Sequence, residues 1–145
     1  LTLIASIGVG STVNEQYICN YINARTSREL RAVLEEIFFV KKKLSRTMVE
    51  QVLRYKRIDG VNCNLEMIAE HCLPTSVNLL RDVSEQKAMP FACQFIWGAE
   101  DRVIQPPKHE LISSTSDFHT IEGAGHMVHI EKARKVNQLI SSFIL

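Results

Sequence analysis

FACQFIWGAEDRVIQPPKHELISSTSDFHTIEGAGH, residues 91–126, is the stretch that decides the fold. Its first seven residues, Phe91 to Trp97, form an apolar run rich in aromatic side chains, bounded by Pro90 and Gly98 and too short for a comfortable helix. That pattern predicts a buried strand. The run stops at Gly98-Ala-Glu-Asp101. Pro106-Pro107 then predicts a brief helix reaching about Ser113, Phe118 to Ile121 a second short strand, and Gly123-Ala-Gly125 a turn that delivers His126. Strand, acid, helix, strand and imidazole make an α/β alternation with Asp101 and His126 at successive strand ends. Parallel strands bring such ends to one edge of a sheet, where folds of this kind place their sites.

Outward from this stretch, Leu1 to Ala5 predicts a third buried strand, an edge of a small parallel sheet shared with the other two. Gly8-Val-Gly10-Ser11 reads as a glycine-rich turn. No lysine follows at phosphate-loop spacing, and the third glycine of a dinucleotide fingerprint is missing. The long middle is nearly all helical in pattern. Tyr17, Ile18, Tyr21 and Ile22 share one face over Asn14 to Ala24. Thr26 or Ser27 caps a second helix with Leu30, Val33, Leu34, Ile37 and Phe38 at helical spacing. Ser45 starts a third, with Met48, Val52, Leu53 and Tyr55 inward and Gly60 ending it. A fourth is expected from about Asn62 to Leu73, stopped by Pro74, and a fifth from about Ser76 to Gln86. A closing helix over Ile130–Leu145 carries an apolar stripe of Ile130, Ala133, Val136, Leu139, Ile140, Phe143 and Ile144. Glu131, Lys132, Arg134, Lys135 and Gln138 lie on its polar side.

The composition, 46% hydrophobic and 23% charged over 145 residues with a net charge of +1, is that of one ordinary globular domain. It gives no ground for a nucleic-acid or membrane partner; Lys41-Lys42-Lys43 reads as a solvated loop between helices. Leu1 to Ala5 is too short to cross a bilayer and has no basic region before it. Cys19, Cys63, Cys72 and Cys93 lack paired spacing and sit among apolar neighbours, which predicts buried free thiols and a reducing cytoplasm.

The segments Trp97-Gly98-Ala-Glu-Asp101-Arg-Val-Ile and Gly123-Ala-Gly125-His126-Met127, with Glu131 following, resemble the late acid and histidine loops of the α/β-hydrolase family. Ser27-Arg-Glu-Leu30 and Met48 to Val61 resemble the cap of a narrower group, the dihydrolipoamide acetyltransferase component of acetoin-cleaving systems. The resemblance implies the C-terminal portion of an α/β-hydrolase fold. Its helical cap would be an insertion over about 12–88, and its core strands and acid and histidine loops would lie over about 1–6 and 90–145. It implies a small acyl ester or thioester substrate and membership of a multienzyme complex. In such a parent the lipoyl group and coenzyme A lie outside this chain, and no cofactor is expected within it. A chain that starts without methionine inside a strand-like run is expected to be a fragment.

Asp101 and His126 then take the acid and base roles of an acyl-transfer triad, in which imidazole accepts the nucleophile's proton and a carboxylate fixes its tautomer. Taken singly, Asp101 also reads as a turn residue and His126 as a satisfied loop histidine. No G-x-S-x-G elbow occurs in the 145 residues. The nucleophile and oxyanion donors are therefore expected upstream, and the chain is expected to be inactive alone. The alternative is a non-catalytic remnant or partner-binding module of the same fold. His126, His129 and Glu131 form H-x-x-H-x-E, in which Glu131 would point away from the histidines; no metal site is expected.

Overall fold

The computed structural model describes residues 1–7, 12–71, 91–107 and 117–145. The expected glycine turn at 8–11, the helix over Ser76–Gln86, the end of the fourth helix and the 108–113 part of the brief helix lie outside these residues. Pro106 and Pro107 are described and are not helical.

Among the described residues three strands form one sheet: β1 (Thr2–Ile4), β2 (Gln94–Gly98) and β3 (Asp117–Ile121), in the order β1-β2-β3. Both pairings are parallel, with Thr2 opposite Gln94 and Gln94 opposite Asp117. The expected edge position of the first strand is observed. β2 is buried along its whole length because it is covered on both faces, the usual condition of a parallel strand. Cys93, Phe95 and Trp97 pack on one face with Ala5 and Phe118; Ile96 packs on the other with Ile121, Val128 and Val136. Two central polar groups are satisfied at short range. The Trp97 indole donates to the Ile104 carbonyl at 2.9 Å, and the Gln94 amide to that of Leu139 at 3.1 Å.

Between β1 and β2 lie α1 (Glu15–Asn23), α2 (Ser27–Leu34), α3 (Arg46–Lys56) and α4, helical over 61–71. Each of the first three begins where a side chain can accept an otherwise unpaired amide: Asn14 from Tyr17, Thr26 from Glu29 and Ser45 from Met48. Thr26 and Glu29 form a reciprocal capping box. Leu30, Val33, Leu34, Leu44, Val49 and Leu53 make the core of this helical layer. Gly60 follows α3 with φ 81°, the left-handed turn that glycine enters freely.

Several details depart from the periodicity. The second helix ends at Leu34, tightens into a 3-10 turn over Glu35–Ile37 and becomes extended at Phe38. Beyond that point its backbone groups bond to the histidine loop instead of to the helix. Tyr55 is 54% exposed, and the buried position one residue on is Lys56, whose ammonium donates to the Tyr21 and Ile22 carbonyls at the end of α1. Lys56 also lies over the Tyr21 ring at 4.5 Å. Cys93 is buried as expected, whereas Cys19 and Cys63 are exposed because their helices turn them to solvent; Cys72 lies outside the described residues.

The closing helix is two pieces, α5 (Val128–Glu131) and α6 (Ala133–Ile144), broken at Lys132. Only Val136 of the α6 stripe is buried, and Ile144 is 74% exposed, since three short strands offer little surface to cover the rest. Among the described residues no helix is long and apolar enough to cross a membrane.

Candidate active site

β2 ends in Gly98, and the turn that follows is held against the end of β3. The Ala99 amide donates to the Ile121 carbonyl and that of Glu100 to the Ala124 carbonyl. Gly98 is glycine for lack of room: a Cβ there would lie 2.2 Å from the Gly125 carbonyl oxygen and 2.3 Å from that of Ala124. The acid turn and the histidine loop are thus in direct backbone contact. Gly123 turns the chain with φ 69°, and a Cβ on Gly125 would press within 2.9 Å of the Ile37 carbonyl oxygen.

These contacts bring Asp101 and His126 together. The Asp101 side chain is fully buried, that of His126 is 25% exposed, and Oδ2 lies 2.9 Å from Nδ1. The distance is that of a hydrogen bond. The other carboxylate oxygen, Oδ1, accepts the Val103 amide at 2.8 Å and the Ile104 amide at 2.9 Å. A carboxylate held this way accepts from the imidazole, which puts the ring proton on Nδ1 and leaves the Nε2 lone pair free to take a proton.

Two further carboxylates build the loop. Glu100 accepts the Ala124 amide at 2.9 Å. Glu131 accepts three amides, from Gly125 at 2.7 Å, Phe39 at 3.2 Å and Val40 at 2.7 Å, while the Met127 amide donates to the Ile37 carbonyl. The stripe of the closing helix assigns Glu131 to water; the break at Lys132 corrects this, because α5 is a separate turn that aims Glu131 back at the loop. The one sequence signal for this role is its place five residues after His126, which a helical wheel does not weigh. Glu131 is therefore committed to backbone, and among the described residues no His, Cys, Asp and Glu group could hold a metal.

The helical layer is sewn to the acid loop from the other side. The Asn14 amide donates to the Val103 carbonyl, its side chain to that of Arg102, and the Gln105 amide to that of Thr12. This fixes the first turn of α1 beside the Asp–His pair. Between α1, α4 and the strand ends lies an apolar cavity of about 450 Å³, with His126 in its wall. Ala5 closes β1 in a left-handed conformation, φ 45°, which costs a non-glycine residue about 1–2 kcal/mol.

The chain has the C-terminal part of an α/β-hydrolase fold. Its backbone is similar to 2-hydroxy-6-oxo-6-phenylhexa-2,4-dienoate hydrolase from Rhodococcus (TM-score 0.83, 12% identity), covering 99% of this chain and 54% of that one. It is likewise similar to a meta-cleavage product hydrolase from Pseudomonas fluorescens (TM-score 0.78, 17% identity, the same coverages). In sequence the chain is similar to the dihydrolipoyllysine-residue acetyltransferase component of the acetoin cleaving system of Pseudomonas putida, with 30% identity over 146 residues. The corresponding protein of Cupriavidus necator is 29% identical over 149 residues. The match takes in 99% of this chain and 38% of each relative. No family model matches the sequence.

Proposed function

We propose that the chain supplies the base and acid of an α/β-hydrolase-type acyl transfer or hydrolysis site. The relatives favour transfer of an acyl group between thiols, as in a dihydrolipoyllysine acetyltransferase. His126 takes the proton of a serine hydroxyl at Nε2 as the serine oxygen attacks the acyl carbon, and returns it to the departing thiolate. Asp101 holds the imidazole in the required tautomer and stabilises the imidazolium. The serine and the backbone oxyanion donors come from residues outside these 145, where the lipoyl group and coenzyme A of the reaction would also be held, so the chain alone is silent. Association with the other components of an acetoin-cleaving complex is part of this reading. So is a cytoplasmic setting, which suits the exposed free thiols of Cys19 and Cys63.

The observation that supports it is the fully buried Asp101 carboxylate, fixed by two amides on one oxygen and facing His126 Nδ1 at 2.9 Å with the other. The second reading is a non-catalytic remnant or partner-binding module of the same fold. The test joins the chain to the coding sequence upstream of Leu1, or mixes it with that segment expressed separately, and follows cleavage of short acyl esters and thioesters. Turnover that needs the upstream segment, vanishes with His126→Ala and falls about 10⁴-fold with Asp101→Asn is expected. Turnover by the chain alone, abolished by His126→Ala, would show a nucleophile within it. No turnover despite demonstrated association would establish the remnant.

A further inference from the structure

The cavity over His126 is far larger than an acetyl group. Its volume is about 450 Å³. At about 30 Å³ per heavy atom, the share of a water molecule in the liquid, the three heavy atoms of an acetyl group would leave most of it empty. Its walls are aliphatic, among them Val13, Ile18, Ile68, Ala69 and Ile104, and among the described residues the polar side chains in them are Tyr17, Tyr21 and His126.

Tyr17 is placed with care for a residue with no internal use for its hydroxyl. Its ring is stacked on Tyr21 at 6.5 Å, and its amide is capped by Asn14, the residue bonded to the acid loop through Arg102 and Val103. The residue is 8% exposed, yet among the described residues its hydroxyl has no hydrogen-bond partner. It is not sealed away either, since among those residues the buried side-chain polar atom left unpaired is Asn62 Oδ1. Tyr17 lines the cavity, so its hydroxyl is available to a guest there. Burial, then the neighbouring Tyr21, Glu36 and Asp101, raise its pKa well above the ordinary tyrosine value, so it remains a neutral donor in any working range.

We propose that this cavity binds an apolar acyl group of about six to ten carbons, with the Tyr17 hydroxyl donating a hydrogen bond to the acyl carbonyl oxygen. The proposal rests on the base-and-acid part of the acyl-transfer reading and departs from its acetoin-cleaving part: the acyl group is longer than the acetyl group in the relatives' names. Tyr17 is the directional contact, and the aliphatic walls read length.

The experiment is binding without turnover, so that it stands apart from the activity assay. Unreactive methyl ketones from 2-butanone to 2-dodecanone, and 1-octene as a carbonyl-free control, are titrated into the 145-residue chain and followed by NMR. Affinity is expected to rise about three- to fivefold per methylene, then level off near ten carbons. Tyr17→Phe should weaken 2-octanone about two- to tenfold and leave 1-octene unchanged. Ala69→Phe, which fills part of the wall, should move the levelling point to a shorter chain. Affinity that does not vary with length overturns the proposal. So does a Tyr17→Phe effect equal for ketone and alkene, which would mark a merely structural tyrosine, or no effect on either. Failure here, with His126-dependent cleavage of acetyl thioesters by the joined protein, would remove the long acyl group and leave the acyl-transfer reading standing. The expected binding pattern with an inactive joined protein would do the reverse.

Discussion

α2 and α6 have the same kind of apolar stripe and different fates. The eight residues of α2 bury Leu30, Val33 and Leu34 between α1 and α3. The twelve residues of α6 bury Val136 alone. Periodicity states which side of a helix is apolar; it does not state whether anything lies against that side. The helical layer encloses its own core, while the sheet layer has, among the described residues, three strands and a helix with much of its stripe in water. Stability should therefore be concentrated in the layer that looks like an insertion.

The comparison breaks most readily at Leu30, which is fully buried. Leu30→Ala is expected to cost about 2–5 kcal/mol, lost transfer plus cavity, measured by urea denaturation. A cost below 1 kcal/mol would mean that the helical layer is not a packed core. Glu131→Ala strips acceptors from three amides that join the two layers. It should cost about 2–3 kcal/mol and speed hydrogen exchange at Phe39, Val40 and Gly125 together. Exchange that changes at Gly125 alone would show that the layers are not held through this side chain. Thr26→Ala removes one half of the capping box and should cost about 1 kcal/mol.

The same box gives a pH signature. The amides of Arg25 and Thr26 hold the Glu29 carboxyl below its ordinary value. A depressed carboxyl binds fewer protons folded than unfolded, so its contribution is complete above the ordinary carboxylate range and fades as pH falls through the lowered value. The stability difference between the parent chain and Glu29→Gln should accordingly shrink below about pH 4. A difference that does not change with pH would mean the box is not formed in solution. At the small end, Ile144→Ser on α6 should stay within about 0.5 kcal/mol of the parent. A loss of 2 kcal/mol would mean that α6 is covered in solution, and sedimentation would show by what.

Much of this was legible in residues 91–126. The strands, their parallel order at one sheet end and the meeting of Asp101 with His126 follow from a short apolar run, a glycine and an alternation. The helix starts were legible too, because Asn14, Thr26 and Ser45 are side chains that pay for unpaired amides. What escaped was tertiary. The early end of α2 is set by bonds from Ile37, Phe39 and Val40 to a loop some ninety residues away. The break at Lys132 and the inward turn of Glu131 belong to that same contact. Lys56 is buried because two carbonyls at the end of α1 await a donor there, and no window of local sequence contains both partners.

Glu131 has one more consequence. Its carboxylate binds residues 39 and 40 of the helical layer and residue 125 of the histidine loop, and Ile37 of the same strap lines the cavity. A guest that displaces the strap must pull on Gly125 and so on the ring beside it. By reciprocity, a change in how the imidazole sits alters how readily the guest is held, by the same factor. If the cavity takes the guest proposed above, its occupancy and the seating of His126 are two readings of a single equilibrium.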